Sequence, residues 1–449
     1  MDPMVRFSFL KTAMIILVCS CSFSSYGQNT EPVETINDKI DTLYERTDAL
    51  KHDGEYMKKL KISGYVQAQY QIADTMGAMG NSFDGGAFDA NVNNRFLIRR
   101  SRIKASYDNN DEFGNTITQV VMQMDLFSGG TAVIRDFYGK FTDPWTRWFG
   151  IKAGAMDKPF GYEVTYSSGT RETPERGRMS QLLFPGEKDF GAQFVIQPTK
   201  QSKYNVFKLE TGLYNGTGVL NNDFDKQKDW ITRLSFFKSN KNETVKYSGG
   251  VSYYNGGHKY GTNKNVEFIT LPSGDHSWVT LDSNSNNINK IGKAIYYGAD
   301  VQVSLDWKGG LTTLRAEGIM GQQPGTAKSS ATPRTLTAED LYLRNFNGAY
   351  FYFIQNILHT HHNLILKYDW YDPNTNVKGM ELKAKMSTAA DVKYSTLGIG
   401  YLFNYDQNWK FLIYKDFLMN ESTGVTGYTS DIKKDNVLTL RLQYTFNKY

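Results

Sequence analysis

Arg100, Arg102 and Lys104 stand two residues apart in a chain of 449 residues. In an extended strand that spacing puts all three on one face. Like charges so close repel unless water or anions screen them. The chemistry they offer is therefore attraction of an anion. Arginine suits oxyanions because its planar fork bonds two oxygens at once. A second group, Arg171, Arg176 and Arg178, falls within the stretch 157–187. If that stretch folds into a lumen, its arginines set a narrow electrostatic gate. If it stays on the surface, they pair with Glu172, Glu175 and Glu187. Lys152, Lys208, Arg315, Lys367 and Arg441 complete the candidate pore-lining and anion-binding set. Glu210, Arg233, Lys246, Asp300, Asp306, Glu317 and Asp369 fall on the same kind of face. Each of these admits a plainer reading as a solvated wall residue paired across strands.

Other chemistries find little support. His359, His361 and His362 cluster at an expected short turn, where solvent exposure competes with a metal site. Both cysteines, Cys19 and Cys21, lie near the start of the chain. No patterned phosphate loop, zinc-ligand spacing or nucleophile motif is present. An outer-membrane hydrolase would need Ser, His and a carboxyl or amide partner meeting outside a barrel, and nothing points to one. No catalytic residue, metal ligand or cofactor is assigned. The net charge of +5 is too weak a bias to imply nucleic acid.

The elements that must position the basic residues are strands. The last stretch sets the pattern. Leu438, Leu440, Leu442, Tyr444 and Phe446 share one face, and Thr439, Arg441, Gln443 and Thr445 the other. This period of two recurs near 61–72, 95–107, 116–127, 132–142, 148–156, 188–198, 204–214, 230–239, 245–255, 295–307, 311–321, 347–359, 363–372, 393–404, 409–420 and 436–446. The expected strands number sixteen, and most are near the roughly 9–11 residues a tilted membrane-spanning strand needs. Connections alternate between short turns and long segments, with Ser128–Gly130 the one break in the rule. That sorting fits an outer-membrane barrel and has no cause in a sandwich. Mean hydropathy is −0.49, so no body segment is expected to be a transmembrane helix. The 29 Tyr, 27 Phe and 40 Gly against 11 Pro suit many strands joined by turns. On the second strand Arg99 falls on the apolar side with Leu97, Ser101, Ile103 and Ala105, which predicts a bulge or a subunit interface.

Residues 1–27 read as a secretory signal. Arg6 and Lys11 form a basic start, 12–21 is apolar, and Ser25-Tyr26-Gly27 supplies small residues before Gln28. A lipoprotein signal acylated at Cys21 is the alternative. Cleavage before Gln28 removes both cysteines, and with them disulfides and thiol chemistry. Within 28–60, Ile36, Ile40, Leu43, Thr47, Leu50 and Met57 trace a heptad seam. It predicts either a short periplasmic coiled coil or one amphipathic helix. The barrel is expected over 61–449.

Several motifs resemble those of the phosphate-selective porin O and P family. They are Arg99-Arg100-Ser101-Arg102, Arg135-Asp136-Phe137-Tyr138, and Lys158-Pro159-Phe160-Gly161-Tyr162-Glu163 followed by Ser167-Ser168 and Glu175-Arg176. They fall in order across about 60–195. The resemblance implies a trimeric sixteen-stranded outer-membrane channel that passes anions. The mixture of Asp and Glu among the lumen bases departs from a complete basic ladder. The expectation is an all-β transmembrane barrel in the Gram-negative outer membrane, a homotrimer in contact with lipid and with small anionic or polar solutes. The alternatives are a non-conducting barrel acting as adhesin or assembly partner, marked by a plugged lumen, or an outer-membrane hydrolase.

Overall fold

A computed structural model describes residues 36–78, 83, 85–128, 131–274, 276–377, 389–421 and 435–446. The expected signal peptide and parts of the long connections 74–94, 373–392 and 421–435 lie outside the described residues. The chain divides between residues 57 and 58 into two units. Helix α1 (Ile36–Lys59) supplies the described part of the first. Its seam residues Ile40, Leu43, Leu50 and Met57 are all exposed, and Thr47 turns its hydroxyl back to the Leu43 carbonyl at 2.7 Å.

The second unit is a closed antiparallel barrel with sixteen strands in its wall and two further strands, β10 and β11, outside it. In chain order the strands are β1 (Leu60–Ala73), β2 (Asn94–Asn110), β3 (Thr116–Ser128), β4 (Thr131–Thr142), β5 (Phe149–Asp157), β6 (Lys188–Ile196), β7 (Phe207–Tyr214), β8 (Asp229–Ser239), β9 (Val245–Lys259), β10 (Lys264–Thr270), β11 (His276–Ser283), β12 (Ile291–Trp307), β13 (Gly310–Gly325), β14 (Tyr342–Asn356), β15 (His362–Asp372), β16 (Tyr394–Asn404), β17 (Trp409–Leu418) and β18 (Val437–Phe446). Strand β18 closes the barrel on β1, from Gly64↔Phe446 to Ala73↔Val437. Strands β10 and β11 form a hairpin within the long connection 257–294, and the wall passes from β9 directly to β12. The hairpin touches the wall in the single bridge Val266↔Tyr342. Its alternation around Val266 and Phe268 is visible in the sequence, but no wall strand corresponds to it.

Polarity is inverted relative to a soluble core. On β18, Thr439, Arg441 and Gln443 are buried, whereas Leu440, Leu442 and Tyr444 are exposed. On β1, Gln67, Gln69 and Gln71 are buried while Val66 and Ile72 are exposed. The apolar outer surface suits hydrocarbon, where every backbone polar group needs an internal partner. Phe113, Trp145, Tyr204, Trp307 and Tyr405 are exposed at the short connections. That is the place for an aromatic girdle at one headgroup level.

Inward and outward positions should therefore differ in tolerance. Leu442→Arg is expected to cost about 2–4 kcal/mol of folding free energy in lipid vesicles. Ser106→Arg, on the lumen face, should leave it nearly unchanged. Urea titration of both variants in vesicles checks this.

Candidate functional site

Two bulges aim arginines inward. Along β1 and β2, Gln67 faces Arg100 but Ala68 faces Ile98, so Arg99 is the extra residue. Between β3 and β4, Gln123 faces Asp136 but Met124 faces Ile134, which leaves Arg135 as the extra residue. A bulge bends its strand and re-aims the side chain. Arg99 Nε reaches Glu175 at 2.7 Å, and Arg135 Nη2 reaches Glu187 at 2.5 Å. The first bulge also exchanges the faces beyond it. Leu97, expected on the apolar face, lies opposite the inward Gln69, and Arg95 opposite Gln71. Parity counted along the sequence passes through an extra residue and comes out inverted.

The segment 158–187 folds into the barrel and is held by wall groups on several sides. Gly161 starts the inward turn at φ +60°, where a Cβ would strike the Glu317 carboxylate. The Gly161 N–H donates to Ser252 at 3.0 Å. Glu317 accepts the N–H groups of Tyr162 and Glu163, each at 3.0 Å, and the Tyr350 hydroxyl at 2.7 Å. Glu163 accepts the Gly177 N–H at 2.9 Å and the Tyr352 hydroxyl at 2.7 Å. Asp369 accepts the N–H of Arg178, the first residue of helix α2 (Arg178–Leu183), at 3.0 Å. The segment's tip reaches β1 and β18. Ser168 meets the Tyr65 hydroxyl at 2.6 Å, and its carbonyl accepts from Gln67 at 2.9 Å. Gln443 donates to the Gly169 carbonyl at 2.7 Å. On the other side Phe160, Val164, Met179, Leu183 and Phe184 pack with Tyr254, Tyr296, Phe346 and Tyr371 in a buried cluster. That part of the interior is an apolar core.

Two cavities remain along β2. The larger, of about 580 Å³, is lined by Arg95, Arg99, Arg100, Arg102, Arg135 and Arg176 together with Asp125, Glu175 and Glu187. Six cations face three carboxylates, so the chamber is electropositive. Arg100 grips Glu175 with both arms, at 3.1 and 2.6 Å, and Arg441 approaches the same carboxylate at 3.7 Å. Arg102 donates to Asp125 at 3.0 Å and to the Ser168 hydroxyl at 3.0 Å. Glu187 also receives Arg176 at 3.8 Å and Arg102 at 4.0 Å. The second cavity, of about 350 Å³, is lined by Lys61, Lys104, Ser106 and Gln123 on the wall and by Ser167, Gly169 and Thr170. The Arg102–Ser168–Tyr65 contacts stand between the two. Burial alone would raise both glutamates. Arg100, Arg99 and Arg441 outweigh it and hold Glu175 well below the ordinary carboxylate range. Arg176, Arg135 and Arg102 do the same for Glu187.

No family model matches this sequence, and no curated protein aligns with it. Solved structures do match. OprB of Pseudomonas putida superposes over 88% of this chain and 96% of its own, with a TM-score of 0.55 and 10% identity. The outer membrane channel DcaP of Acinetobacter baumannii superposes over 86% and 97%, with a TM-score of 0.50 and 11% identity. The fold is that of the outer-membrane porins.

Within this fold the sequence-derived candidates scatter. Arg100 and Arg102 line the chamber, Lys104 the cavity beyond it, and Arg176 the chamber from the inward segment. Arg171 is buried and donates to the Tyr166 carbonyl at 3.1 Å. Arg178 is buried over the ring of Phe83, 4.6 Å from its centroid. Arg315 pairs with Glu172 at 2.8 Å, Lys367 with Asp369 at 3.1 Å and Lys208 with Glu210 at 2.7 Å. Lys152 lies 4.1 Å from the centre of the Tyr138 ring. Arg441 donates to the Pro174 carbonyl at 2.7 Å. Lys246 and Asp306 are exposed and pair locally with Glu243 and His359. Among the described residues no group of three His, Cys, Asp or Glu is placed to hold a metal ion. Sequence reasoning missed Arg95 and Arg135 as lining groups, and Glu163 as an anchor of the inward turn. Only the bulge, suspected at Arg99 alone, could have exposed the first two.

Removing the Glu175 charge leaves Arg99, Arg100 and Arg441 without their shared partner. Glu175→Gln is expected to lower stability by about 3–5 kcal/mol. A carboxylate held low stabilises the fold fully above its unfolded value, near pH 4.3, and loses that effect as pH falls through the folded value. The gap between wild type and Glu175→Gln should therefore stay constant at higher pH and narrow only below about pH 4. Unfolding measured across pH in detergent tests both statements.

Proposed function

We propose that this protein is a passive diffusion channel of the Gram-negative outer membrane with a preference for small anions, phosphate or polyphosphate among them. The observation that carries this reading is the line of basic groups down one face of β2. Arg95, Arg100, Arg102 and Lys104 follow one another from the larger cavity to the smaller. Fixed positive charge in a lumen raises the local anion concentration and lowers the cost of entry. Selectivity comes from width and charge at Arg102, Ser168 and Tyr65, and no covalent step is involved. The motif resemblance to phosphate-selective porins supports the anion preference. The exposed heptad seam of α1 supports association of subunits, and we propose a homotrimer exported by a signal peptide cleaved before Gln28.

A second reading has one observation in its favour. The segment 158–187 is anchored to β1, β13, β14, β15 and β18, and such a brace would suit a non-conducting barrel that serves adhesion or assembly. Planar-bilayer recording separates the two. The channel reading expects discrete conductance steps and a reversal potential displaced toward that of chloride in a salt gradient. Absence of steps from folded protein ends it, and a cation preference ends the basic-path argument alone.

Two variants refine the path. Changing Arg100, Arg102 and Lys104 together to Gln should reduce anion preference while heat-modifiable folding persists. Replacing 167–170 by two glycines should raise single-channel conductance, because it withdraws the tip from Tyr65 and Arg102. Unchanged selectivity in the first would place the gate elsewhere.

A further inference from the structure

A third cavity, of about 220 Å³, lies at the rim of short turns and shares no lining residue with the two along β2. Its floor is an inward row across three strands. Thr142 on β4 faces Gly150 on β5, and Gly150 faces Val195 on β6. Gly150 keeps that floor open, since a Cβ there would stand 3.4 Å from Lys140 Cε and 3.6 Å from Thr142 Oγ1. The cover is the β6–β7 connection, whose Pro198, Thr199 and Lys200 line the space. This connection reaches past the β4–β5 turn to the β2–β3 turn. The Lys200 N–H donates to Asn115 Oδ1 at 3.3 Å, Lys200 Nζ to the Gly114 carbonyl at 3.0 Å, and Gln201 to the Phe113 carbonyl at 2.9 Å. Arg147, from the β4–β5 turn, meets Asp111 at 3.0 Å and lies 5.5 Å from the centre of the Phe113 ring. Three turns are thus laced together around the cavity.

Lys140, Arg147 and Lys200 line it, and no Asp or Glu among the described residues does. Asp111 offsets the charge of Arg147 from outside the lining. Lys140 has no ion-pair or hydrogen-bond partner among the described residues, and the residue opposite it on β5 is another cation, Lys152. Thr142 is 7% exposed, and its Oγ1 is buried with no hydrogen-bond partner among the described residues. A buried hydroxyl without a partner costs free energy. Water satisfies such a hydroxyl but leaves the lysine charge unbalanced. An anion answers both, with lone pairs for the hydroxyl and opposite charge for the ammonium.

We propose that this cavity binds a phosphate- or sulfate-sized oxyanion, separately from the chamber on β2. Lys140 and Arg147 supply the charge, and the Thr142 hydroxyl donates to one oxygen. Trp148 and Pro198 form the sides of the space. The volume lies below the roughly 300–1,000 Å³ of sites for drug-sized ligands, which favours a small ion over a nucleotide. Short turns mark the periplasmic side of such barrels, so the site holds its anion at that mouth. The inference rests on the water-filled lumen of the reading above but not on conduction.

Lys140 serves as its own reporter. Full-length protein in detergent is acetylated with an amine-reactive ester, and modification of each lysine is read by peptide mass spectrometry. Sodium phosphate is expected to slow acetylation of Lys140 saturably, and sodium chloride at equal ionic strength is not. Lys246, exposed at the β8–β9 turn, should respond alike to both salts. Thr142→Val keeps the side-chain shape and removes the hydroxyl. Half-protection should then need about fivefold more phosphate, the ratio that roughly 1 kcal/mol gives. Should that variant not fold, Lys200→Gln is expected to shift protection in the same direction. Equal slowing by the two salts overturns the inference, because screening alone then explains it. Acetylation that neither salt slows overturns it as well. So does phosphate protection that the folded variant leaves unchanged, since the anion then does not meet these groups. Conductance without protection sinks this inference alone, and saturable protection without conductance sinks only the channel reading.

Discussion

Every backbone N–H and C=O placed in hydrocarbon must find its partner within the protein, because lipid offers none. A sheet meets that demand only when its last strand returns to its first, as β18 does to β1. Closure then fixes where everything else goes. One face of each strand is committed to lipid and becomes apolar. The other encloses a space, and the polar residues of the chain are buried there. Gln67, Gln71, Asp369 and Thr439 are each nearly or wholly buried in this sense, at 0%, 0%, 0% and 1% exposure.

The inward segment exploits this arrangement. It brings Glu163, Glu172, Glu175 and Glu187 into a lumen whose wall already carries arginines. Burying an ion pair costs desolvation that mutual attraction repays only with good geometry. The two-armed contact of Arg100 with Glu175 has that geometry, and two further cations, Arg99 from β2 and Arg441 from β18, converge on the pair. The pairings do two things together. They pin the segment to the wall, and they neutralise part of a cationic lining while leaving an excess of arginines. The apolar cluster around Phe160 and Tyr296 anchors the opposite side. The segment is thereby placed by charge on one flank and by aromatic packing on the other.

Departures from regular pairing coincide with the chamber. Both arginine bulges lie within a few residues of the point where β2 and β3 part. A bulge increases local twist, and these two stand on either side of the β2–β3 pairing, whose register runs to Arg102↔Asp125. Arg99 and Arg135, which the bulges aim inward, both line the chamber beside that end of the pairing.

How much of this was legible in the sequence follows from what each feature depends on. Strand positions, their even number, closure into a barrel and the inward assignment of Arg100, Arg102, Arg441 and Gln443 follow from a period of two read against turn lengths. Those are local properties, fixed by backbone pleating and by the solvent on each side. The Lys158–Glu163 turn was recognisable as a motif, and Gly161 shows why, since only glycine fits against Glu317 there. Which carboxylate meets which arginine was not legible. Glu175 lies 75 residues from Arg100 and 266 from Arg441, and only closure brings them together. The hairpin β10–β11 and the register beyond Arg99 were likewise hidden, because alternation alone says neither which strand pairs with which nor where one extra residue inverts the count. Local alternation determined the wall, and the folded chain decided what the wall encloses, because lumen contacts join residues that no short-range pattern relates.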